Sequence, residues 1–274
     1  MTYHNDGLSF RNNAVFHSAI DGDVGHREFQ KYLIEKFNTC QLPEIKNETK
    51  RARETLQCLQ SKKNDDVEIA ILGDSHAQHA YIGLAEGLPT RNVAYYPINA
   101  MPRIVDKEFL AIYDHLVSSK STKIIILTSY WSGRINEIPL HSSLENEISM
   151  LANKLIQLDK KIYIMEDVPA FSFAPEKCKG VRWPSTQTKC DENRVAFNGQ
   201  ISLFESNLRS LAKKDPRIGL IETRDYFCDE RNCKMTKGKT LLYRDSNHLN
   251  INGSQYMGKK IVENSAVLAS LANK

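Results

Sequence analysis

Five short runs of β-branched and other apolar residues lie along the chain from residue 67 onward. They cover 67–72, 92–96, 123–128, 161–165 and 218–221. Amphipathic stretches with helical periodicity separate them, near 76–87, 107–119, 143–158 and 196–213, and a last helix is expected near 252–271. Strands that alternate with helices of this length form a parallel sheet with helices on both faces. The pattern therefore predicts an α/β fold with three layers around a five-stranded parallel sheet.

The first 66 residues lack this alternation of strands and helices. A periodic run from Phe29 to Phe37 predicts one helix, and the charged segment 44–59 predicts a second, solvent-facing helix. The chain is accordingly predicted to comprise a linker and small helical extension over 1–66, followed by one α/β domain over 67–274.

Composition and charge exclude several classes of protein. The 274 residues are 41% hydrophobic and 26% charged, which excludes a wholly disordered chain. The net charge of +4 is too small for a nucleic-acid binder. No run of about 18 apolar residues predicts a membrane span. The polar N-terminus lacks the apolar core of a signal peptide.

Six cysteines fall into three pairs of sequence neighbours. Neighbour pairing predicts the disulfide bonds Cys40–Cys58, Cys178–Cys190 and Cys228–Cys233 and an oxidising compartment. Because no export signal precedes them, we expect the chain to be part of a longer exported or membrane-anchored protein. Six free thiols remain an alternative. Structural zinc is disfavoured because the sequence contains no C-x-x-C pair.

Two polar motifs lie where an α/β sheet binds its ligands, beyond the carboxyl ends of strands. Gly73 permits a tight turn after the first strand, and Ser75 follows where a helix begins, so that backbone N–H groups face a developing oxyanion. Asp245 precedes His248 by three residues, so its carboxylate can orient the imidazole as a general base. Each motif alone also fits a helix cap, and Asp74 is interpreted as a turn residue. Together the motifs predict a Ser75–His248–Asp245 triad.

These motifs resemble those of a known enzyme superfamily. Segments 71–76 and 245–249 are similar to the first and last motif blocks of the SGNH (GDSL-like) hydrolases. The Gly-Asp-Ser-His form resembles SGNH domains fused to acyltransferase-3 membrane domains in bacterial polysaccharide O-acetyltransferases. Segment 127–131 resembles the aromatic block of that group, and 99–102 occupies the position of its second loop. The resemblance covers 67–274 and implies a flavodoxin-like sheet.

By this resemblance Ser75 is the nucleophile, His248 the base and Asp245 its orienting carboxylate. The superfamily adds a glycine and an asparagine as oxyanion donors, and neither stands in its expected position here. Asn99, Trp131 and Ser132 lie in the corresponding loops and are the candidates for the oxyanion hole and pocket wall. The backbone N–H of Ser75 is the surest donor.

Four further residues are candidates for binding. Arg182 and Trp183, in the Pro- and Gly-containing loop 169–195, are candidate sugar-binding residues, although Trp183 would equally serve to anchor the loop. His76 and His79 are one helical turn apart but have no evident third ligand. They are interpreted as helix-surface histidines, and no metal site is predicted.

The resemblance implies a function. The chain is expected to be the extracytoplasmic domain of a polysaccharide O-acetyltransferase, with lipopolysaccharide O-antigen as the foremost substrate, working through an acetyl-serine intermediate. It implies tethering to the periplasmic face of the inner membrane by an N-terminal acyltransferase-3 domain, which supplies acetyl groups from cytoplasmic acetyl-CoA. No bound cofactor is expected. A carbohydrate O-acetylesterase and a non-catalytic carbohydrate-binding module remain alternatives.

Overall fold

The computed structural model describes residues 25–40, 57–98, 100, 107–138, 140–157, 159–179 and 190–272. Its strands are β1 (Asn38–Thr39), β2 (Leu59–Gln60), β3 (Ile69–Gly73), β4 (Val93–Pro97), β5 (Ile124–Leu127), β6 (Lys161–Met165), β7 (Asp191–Asn193), β8 (Ile218–Ile221), β9 (Asn232–Lys234), β10 (Thr236–Lys237) and β11 (Thr240–Leu241). Its α-helices are α1 (His26–Lys36), α2 (Ser75–Gly87), α3 (Lys107–Ser118), α4 (Leu144–Ile156), α5 (Glu176–Lys179), α6 (Arg194–Lys214), α7 (Arg224–Phe227), α8 (Ile251–Asn264) and α9 (Ala266–Ala272). A 3₁₀ helix spans Trp131–Glu137.

The central sheet has the strand order β1-β2-β4-β3-β5-β6-β8. Within this sheet, β4, β3, β5, β6 and β8 pair in parallel with their neighbours. They are the five strands predicted from the apolar runs. The order β4-β3-β5-β6-β8 is the flavodoxin-like order, with β3 next to the switch point where ligands bind. The prediction of a parallel α/β sheet is confirmed.

Two short antiparallel strands extend the sheet beyond the predicted five. β1 pairs with β2, and β2 pairs with β4. Both come from the N-terminal segment that was predicted to be helical, and that expectation is corrected at residues 38–39 and 59–60. The buried side chain of Leu59 lies opposite Tyr95, so pairing here covers the edge of β4. Segment 44–56 of the predicted second helix lies outside the described residues.

The two faces of the sheet are covered by different sets of helices. Along β3, Ile69 and Ile71 belong to the core cluster that contains side chains of α1, α2 and α8. Ala70 and Leu72 belong to the opposite cluster, which contains side chains of α3, α4 and α6. This alternation follows from the two-residue period of a strand. The predicted three-layer arrangement is therefore observed.

Helices α2 and α8 cross at unusually close range. A Cβ atom at Gly83 would lie 2.0 Å from the carbonyl oxygen of Ser254, and one at Gly258 would lie 2.1 Å from the carbonyl carbon of Gly83. Only glycine permits this approach. The crossing matters for the site because α2 begins at Ser75 and α8 begins three residues after His248.

The last predicted helix is divided in two. Residue Ser265 has an extended backbone that separates α8 from α9, and its hydroxyl accepts a hydrogen bond from the N–H of Leu268 at 3.3 Å. Serine at such a position caps a new helix, which explains the interruption. Within the described ranges, no helix is both long and apolar enough to cross a membrane.

All six cysteines form disulfide bonds, in the neighbour pairing predicted from the sequence. Cys40 and Cys58 join the ends of β1 and β2. Cys178 joins α5 to the residue that precedes β7. The alternative of free thiols is excluded.

Helix α1 packs onto the α/β domain near the start of α8. Phe29 and Leu33 are buried in the same core cluster as the apolar residues of α2 and α8. The hydroxyl of Tyr32 donates to Glu86 of α2. Gln30 also donates to Gln78, at 3.2 Å. The domain boundary at residues 66 and 67 stays a prediction.

Candidate active site

A sharp turn after β3 brings Ser75 to the rim of the sheet. Gly73 has a φ of 151°, and a Cβ atom there would lie 1.7 Å from the carbonyl oxygen of Thr128, so only glycine fits. Asp74 then caps α2 by accepting a hydrogen bond from the N–H of His76 at 2.9 Å. As the first residue of α2, Ser75 has a backbone N–H without an acceptor inside the helix. This N–H is available to an oxyanion next to the hydroxyl.

Three sequence-predicted residues meet at this rim. The Oγ of Ser75 lies 2.8 Å from Nε2 of His248. The Nδ1 atom of His248 lies 2.9 Å from Oδ2 and 3.0 Å from Oδ1 of Asp245. The side chains of His248 and Asp245 are 23% and 47% exposed, so a substrate in solvent can reach them. This hydrogen-bonded chain has the geometry in which histidine removes a proton from serine.

The charges around the imidazole favour a neutral base beside an ionised carboxylate. Burial raises the pKa of Asp245, but the hydrogen bonds from the ring and backbone of His248 and from the N–H of Asn247 outweigh it, so the pKa lies well below its ordinary value. Burial lowers the pKa of His248, and the neighbouring His76 and Arg244 lower it further, against the opposing hydrogen bond from Asp245. His248 is thus free to accept a proton near neutral pH.

The loop that carries His248 is held from behind by a buried arginine. The N–H of Arg244 donates to the carbonyl of His248 at 2.9 Å, and its guanidinium donates to the carbonyl of Leu249 at 2.9 Å. The same guanidinium lies 3.7 Å from the ring centroid of Phe29 of α1. Burial lowers the pKa of Arg244 to about 10. Helix α1 therefore supports the site although it lies in the predicted extension.

Asp74 does more than cap a helix. Its buried carboxylate accepts hydrogen bonds from the hydroxyl of Ser129 at 2.7 Å, the N–H of Tyr130 at 3.1 Å and the guanidinium of Arg134 at 3.1 Å. Burial raises its pKa, but the charge of His76 and these hydrogen bonds hold the pKa below the ordinary value. One carboxylate thus fastens the loop after β5 to the start of α2.

A second histidine–aspartate pair lies under the first. Nδ1 of His76 is 2.6 Å from Oδ1 of Asp167, and both groups are buried. The ring of His79 is buried beside it, and its Nδ1 lies 3.4 Å from the N–H of Leu249. The interpretation of His76 and His79 as surface residues is wrong, because the close crossing of α8 covers this face of α2.

These buried side chains have the residue types of a metal site. One potential ligand atom each of His76, His79 and Asp167 lies within 4.8 Å of the others. Three of the potential ligand atoms already have partners, however: Nδ1 of His76 and Oδ1 of Asp167 are 2.6 Å apart, which is a direct hydrogen bond, and Nδ1 of His79 accepts from the N–H of Leu249. We therefore treat the cluster as hydrogen-bonded side chains and assign no ion to it.

Comparison with protein families identifies the domain. The family model described as "SGNH domain (fused to AT3 domains)" matches residues 39–263, most of the chain. This chain belongs to that SGNH family. Members of the family are described as fused to AT3 domains. No curated protein matches the chain at a significant level.

This SGNH domain is similar to several solved structures at low sequence identity. The periplasmic domain of a lipopolysaccharide acetyltransferase from Salmonella ser. Paratyphi A is 17% identical, with a TM-score of 0.53, and the match covers 73% of this chain and 84% of that one. A GDSL-like lipase from Bacteroides thetaiotaomicron is 12% identical, with a TM-score of 0.46 and coverage of 84% and 98%. The catalytic domain of peptidoglycan O-acetyltransferase A from Streptococcus pneumoniae is 11% identical, with a TM-score of 0.41 and coverage of 76% and 94%.

Of the predicted pocket residues of the SGNH domain, Trp131 is in the core. Its side chain is 2% exposed and its indole N–H donates to the carbonyl of Met165 at 2.9 Å, so it bridges the ends of β5 and β6. The prediction that it forms a pocket wall is wrong, because the chain turns inward at the 3₁₀ helix. Ser132 is partly exposed, and no hydrogen bond between described residues joins it to Ser75. Asn99, like Arg182 and Trp183, lies outside the described residues.

Sequence reasoning missed Asp167, Tyr130 and the multiple contacts of Asp74. Asp167 could have been predicted from the sequence, because it follows the fourth apolar run by two residues. It therefore lies at the carboxyl ends of the strands, where Ser75 was also predicted to lie. The same signal existed for Tyr130, which follows the third apolar run by two residues. Its ring stacks on His76 with centroids 4.7 Å apart and an interplanar angle of 15°, a contact between two different rim loops.

Proposed function

We propose that this SGNH domain is the extracytoplasmic part of a bacterial polysaccharide O-acetyltransferase. It would transfer an acetyl group to a sugar hydroxyl through an acetyl-serine intermediate at Ser75. The observation that carries the proposal is the unbroken hydrogen-bonded chain from Ser75 through His248 to Asp245, at 2.8 and 2.9 Å. Membership of a family fused to AT3 domains supports acyl transfer as its use.

In the first half-reaction, Oγ of Ser75 attacks the carbonyl carbon of the acetyl donor while Nε2 of His248 takes the hydroxyl proton. Asp245 holds Nδ1 and stabilises the imidazolium that forms. The tetrahedral oxyanion accepts a hydrogen bond from the backbone N–H of Ser75, and the positive end of the α2 dipole stabilises its charge. Collapse breaks the bond to the donor group, which leaves with the proton from His248, and acetyl-serine remains.

In the second half-reaction, a sugar hydroxyl replaces the donor. His248 removes the proton of that hydroxyl as its oxygen attacks the acetyl carbonyl carbon. The second tetrahedral intermediate uses the same oxyanion donors. Its collapse expels Oγ of Ser75, which regains the proton from His248, and releases the acetylated sugar. Water in place of the sugar would give acetate.

The donor and the setting follow from the proposed family role. An N-terminal acyltransferase-3 domain of the full-length protein would supply acetyl groups that originate from acetyl-CoA and would tether the domain to the inner membrane. The chemistry derived above requires no bound cofactor. Three disulfide bonds fit a periplasmic location, which is oxidising. Lipopolysaccharide O-antigen is the proposed acceptor; the Salmonella structure with the related fold carries that activity in its description.

The remaining sequence candidates enter the proposal as binding groups. In the sequence Asn99 comes two residues after the end of β4, and Ser132 lies in the 3₁₀ helix that follows β5. They are proposed as further oxyanion or pocket donors. Arg182 and Trp183 are proposed to bind the sugar, by hydrogen bonding and by stacking on its apolar face.

The test uses an aryl acetate as donor with and without a sugar acceptor. Ser75→Ala should lower acetyl release by at least about 10³-fold and abolish labelling by a sulfonyl fluoride, because no nucleophile remains. Ser118→Ala, an exposed serine on α3, is the matched control and should leave both signals unchanged. Unchanged acetyl release by Ser75→Ala would refute the proposal.

Product analysis in the same experiment separates transfer from its alternatives. Acetylated sugar as the main product supports the acetyltransferase. Acetate alone, even with the acceptor in excess, would identify an O-acetylesterase, since both enzymes pass through the same acetyl-serine. Binding of a glycan with no release of acetyl that depends on Ser75 would identify a carbohydrate-binding module.

A further inference from the structure

A buried histidine outside the proposed triad lies directly against the ring of His248. The ring centroids of His76 and His248 are 4.7 Å apart, with an interplanar angle of 51°. The ring of Tyr130 stacks on His76 at 4.7 Å and the ring of His79 lies 4.9 Å away, so His76 is in contact with three rings at once. Its side chain is 1% exposed. A side chain so confined limits the orientations open to the ring of His248.

The orientation of His76 is set by one strong hydrogen bond. Nδ1 of His76 lies 2.6 Å from Oδ1 of Asp167, and the same oxygen accepts the N–H of Val168 at 2.8 Å. Nε2 of His76 is buried and has no hydrogen-bond partner among the described residues. The ring is therefore held at one end only, by the carboxylate that follows β6. Neither group takes part in the mechanism derived above.

The charged and titratable groups around His248 come from three elements. Its own loop contributes Asp245 and Arg244, and α2 contributes His76 and His79. Burial lowers the pKa of His79 well below its ordinary value, in keeping with its Nδ1 accepting the N–H of Leu249, so His79 is uncharged. The loop after β6 contributes Asp167, which reaches His248 through His76.

His76 is the histidine of this cluster whose surroundings favour the protonated form. Burial lowers its pKa, but the charge and hydrogen bond of Asp167 and the charge of Asp74 outweigh burial, so its pKa is raised. Burial raises the pKa of Asp167, while the proton on His76 opposes that effect. The hydrogen bond joins Nδ1 of His76 to Oδ1 of Asp167, and the imidazole of this pair is the group that lies against His248.

We propose that His76 is a positioning residue for the reaction, with Asp167 as its anchor: the pair fixes the ring plane of His248 and holds His248 in its neutral, proton-accepting form. This role rests on the function proposed for Ser75 and His248. A second positive charge on His248 is disfavoured while His76 is charged, because like charges in contact repel. Asp245 still stabilises the imidazolium in the transition state, and Asp167 neutralises His76 at longer range.

The proposal is tested by titrating the His248 ring directly. The full chain carries isotope-labelled histidine, and NMR follows each ring with pH; a His248→Asn variant assigns the signal. His76→Asn should raise the pKa of His248 by about one unit, since it removes the adjacent positive charge. Asp167→Asn should raise it by less, because His76 then loses its proton but the negative charge of Asp167 is lost as well. The double variant should match Asp167→Asn, since neither charge is present in either variant.

The control is His141→Asn, which replaces an exposed histidine and should leave the pKa of His248 unchanged. Asp167→Asn preserves size and an acceptor for His76, so it provides the test if His76→Asn does not fold. An unchanged pKa of His248 in Asp167→Asn, or additive shifts in the double variant, would overturn the proposal.

The titration needs no turnover, so it is independent of the role of Ser75. If Ser75→Ala remains active, the proposed function fails whatever the titration gives. If Ser75→Ala is inactive, the apparent pKa of the acid limb in the pH profile of kcat/KM should rise in His76→Asn by the same amount as the pKa of His248. An acid limb at the wild-type position would show that His76 is structural only.

Discussion

Replacing Gly258 by alanine should push α8 away from α2 and thereby separate His248 from Ser75. A Cβ atom at Gly258 would lie 2.1, 2.2 and 2.3 Å from the carbonyl carbon, oxygen and Cα of Gly83. Carbon atoms in contact are about 3.5–4.0 Å apart, so the helices must separate by more than about 1 Å. The opposing atoms are backbone, and no side-chain rotation relieves the overlap.

The expected cost has two parts. Overpacking of this kind costs about 1–3 kcal/mol, and the higher helix propensity of alanine offsets about 1 kcal/mol of that cost, which leaves a net loss of stability of about 0–2 kcal/mol. The second part is geometric. The Ser75–His248 contact of 2.8 Å spans the two elements, and a misplacement of about 1 Å costs about 10²-fold in rate.

The assay compares unfolding by denaturant and turnover of an aryl acetate for Gly258→Ala and Gly87→Ala. Gly87 lies on α2, on the other side of the same helix crossing, and its Cβ would first meet Cγ2 of Val262 at 3.2 Å, a methyl group that can move. We expect Gly87→Ala to retain turnover. Equal unfolding midpoints and equal turnover in the two variants would refute the argument that the glycine crossing sets the site geometry.

Two further predictions concern stability. Asp74→Asn should lower the free energy of unfolding by about 3 kcal/mol at neutral pH, measured by denaturant unfolding, because it removes the buried negative charge that accepts hydrogen bonds from Ser129, Tyr130 and Arg134. Exposed Asp114→Asn is the control, and an equal effect of both would contradict the role of Asp74. Replacing Cys40 and Cys58 by serine should lower the free energy of unfolding by about 3 kcal/mol, because the disulfide bond closes a loop between residues 18 apart. Turnover should change little at denaturant concentrations below the unfolding midpoint. An unaltered midpoint of denaturant unfolding would contradict this prediction.

Local patterns in the sequence were sufficient to predict the main elements of the fold. The run 161–165 is β6 and the run 218–221 is β8, residue for residue, because a buried strand needs a continuous apolar stretch bounded by polar turns. The joint between α8 and α9 was missed because Ser265 is compatible both with a helix and with a cap. A choice of that kind depends on what each helix packs against.

The candidate site was predictable to the extent that general rules of topology apply. Strand order puts the residues after β3 on the ligand-binding rim, and a histidine just before the last helix is a natural base for Ser75. The side-chain distances between Ser75, His248 and Asp245 agree with that expectation, and their catalytic roles remain proposals. The roles of His76 and Trp131 were misjudged because both depend on burial by distant segments.

The amino-acid sequence by itself determined the order and type of the elements, the turn at Gly73 and the pairing of neighbouring cysteines. These features depend on backbone conformation and on residues close in the chain. Packing in three dimensions determined the pairing of β1 and β2 with the sheet, the burial of Trp131 and the contact of Asp167 with His76. Each of these joins segments far apart in the chain, and their free energy depends on surfaces that exist only after the sheet and helices have assembled.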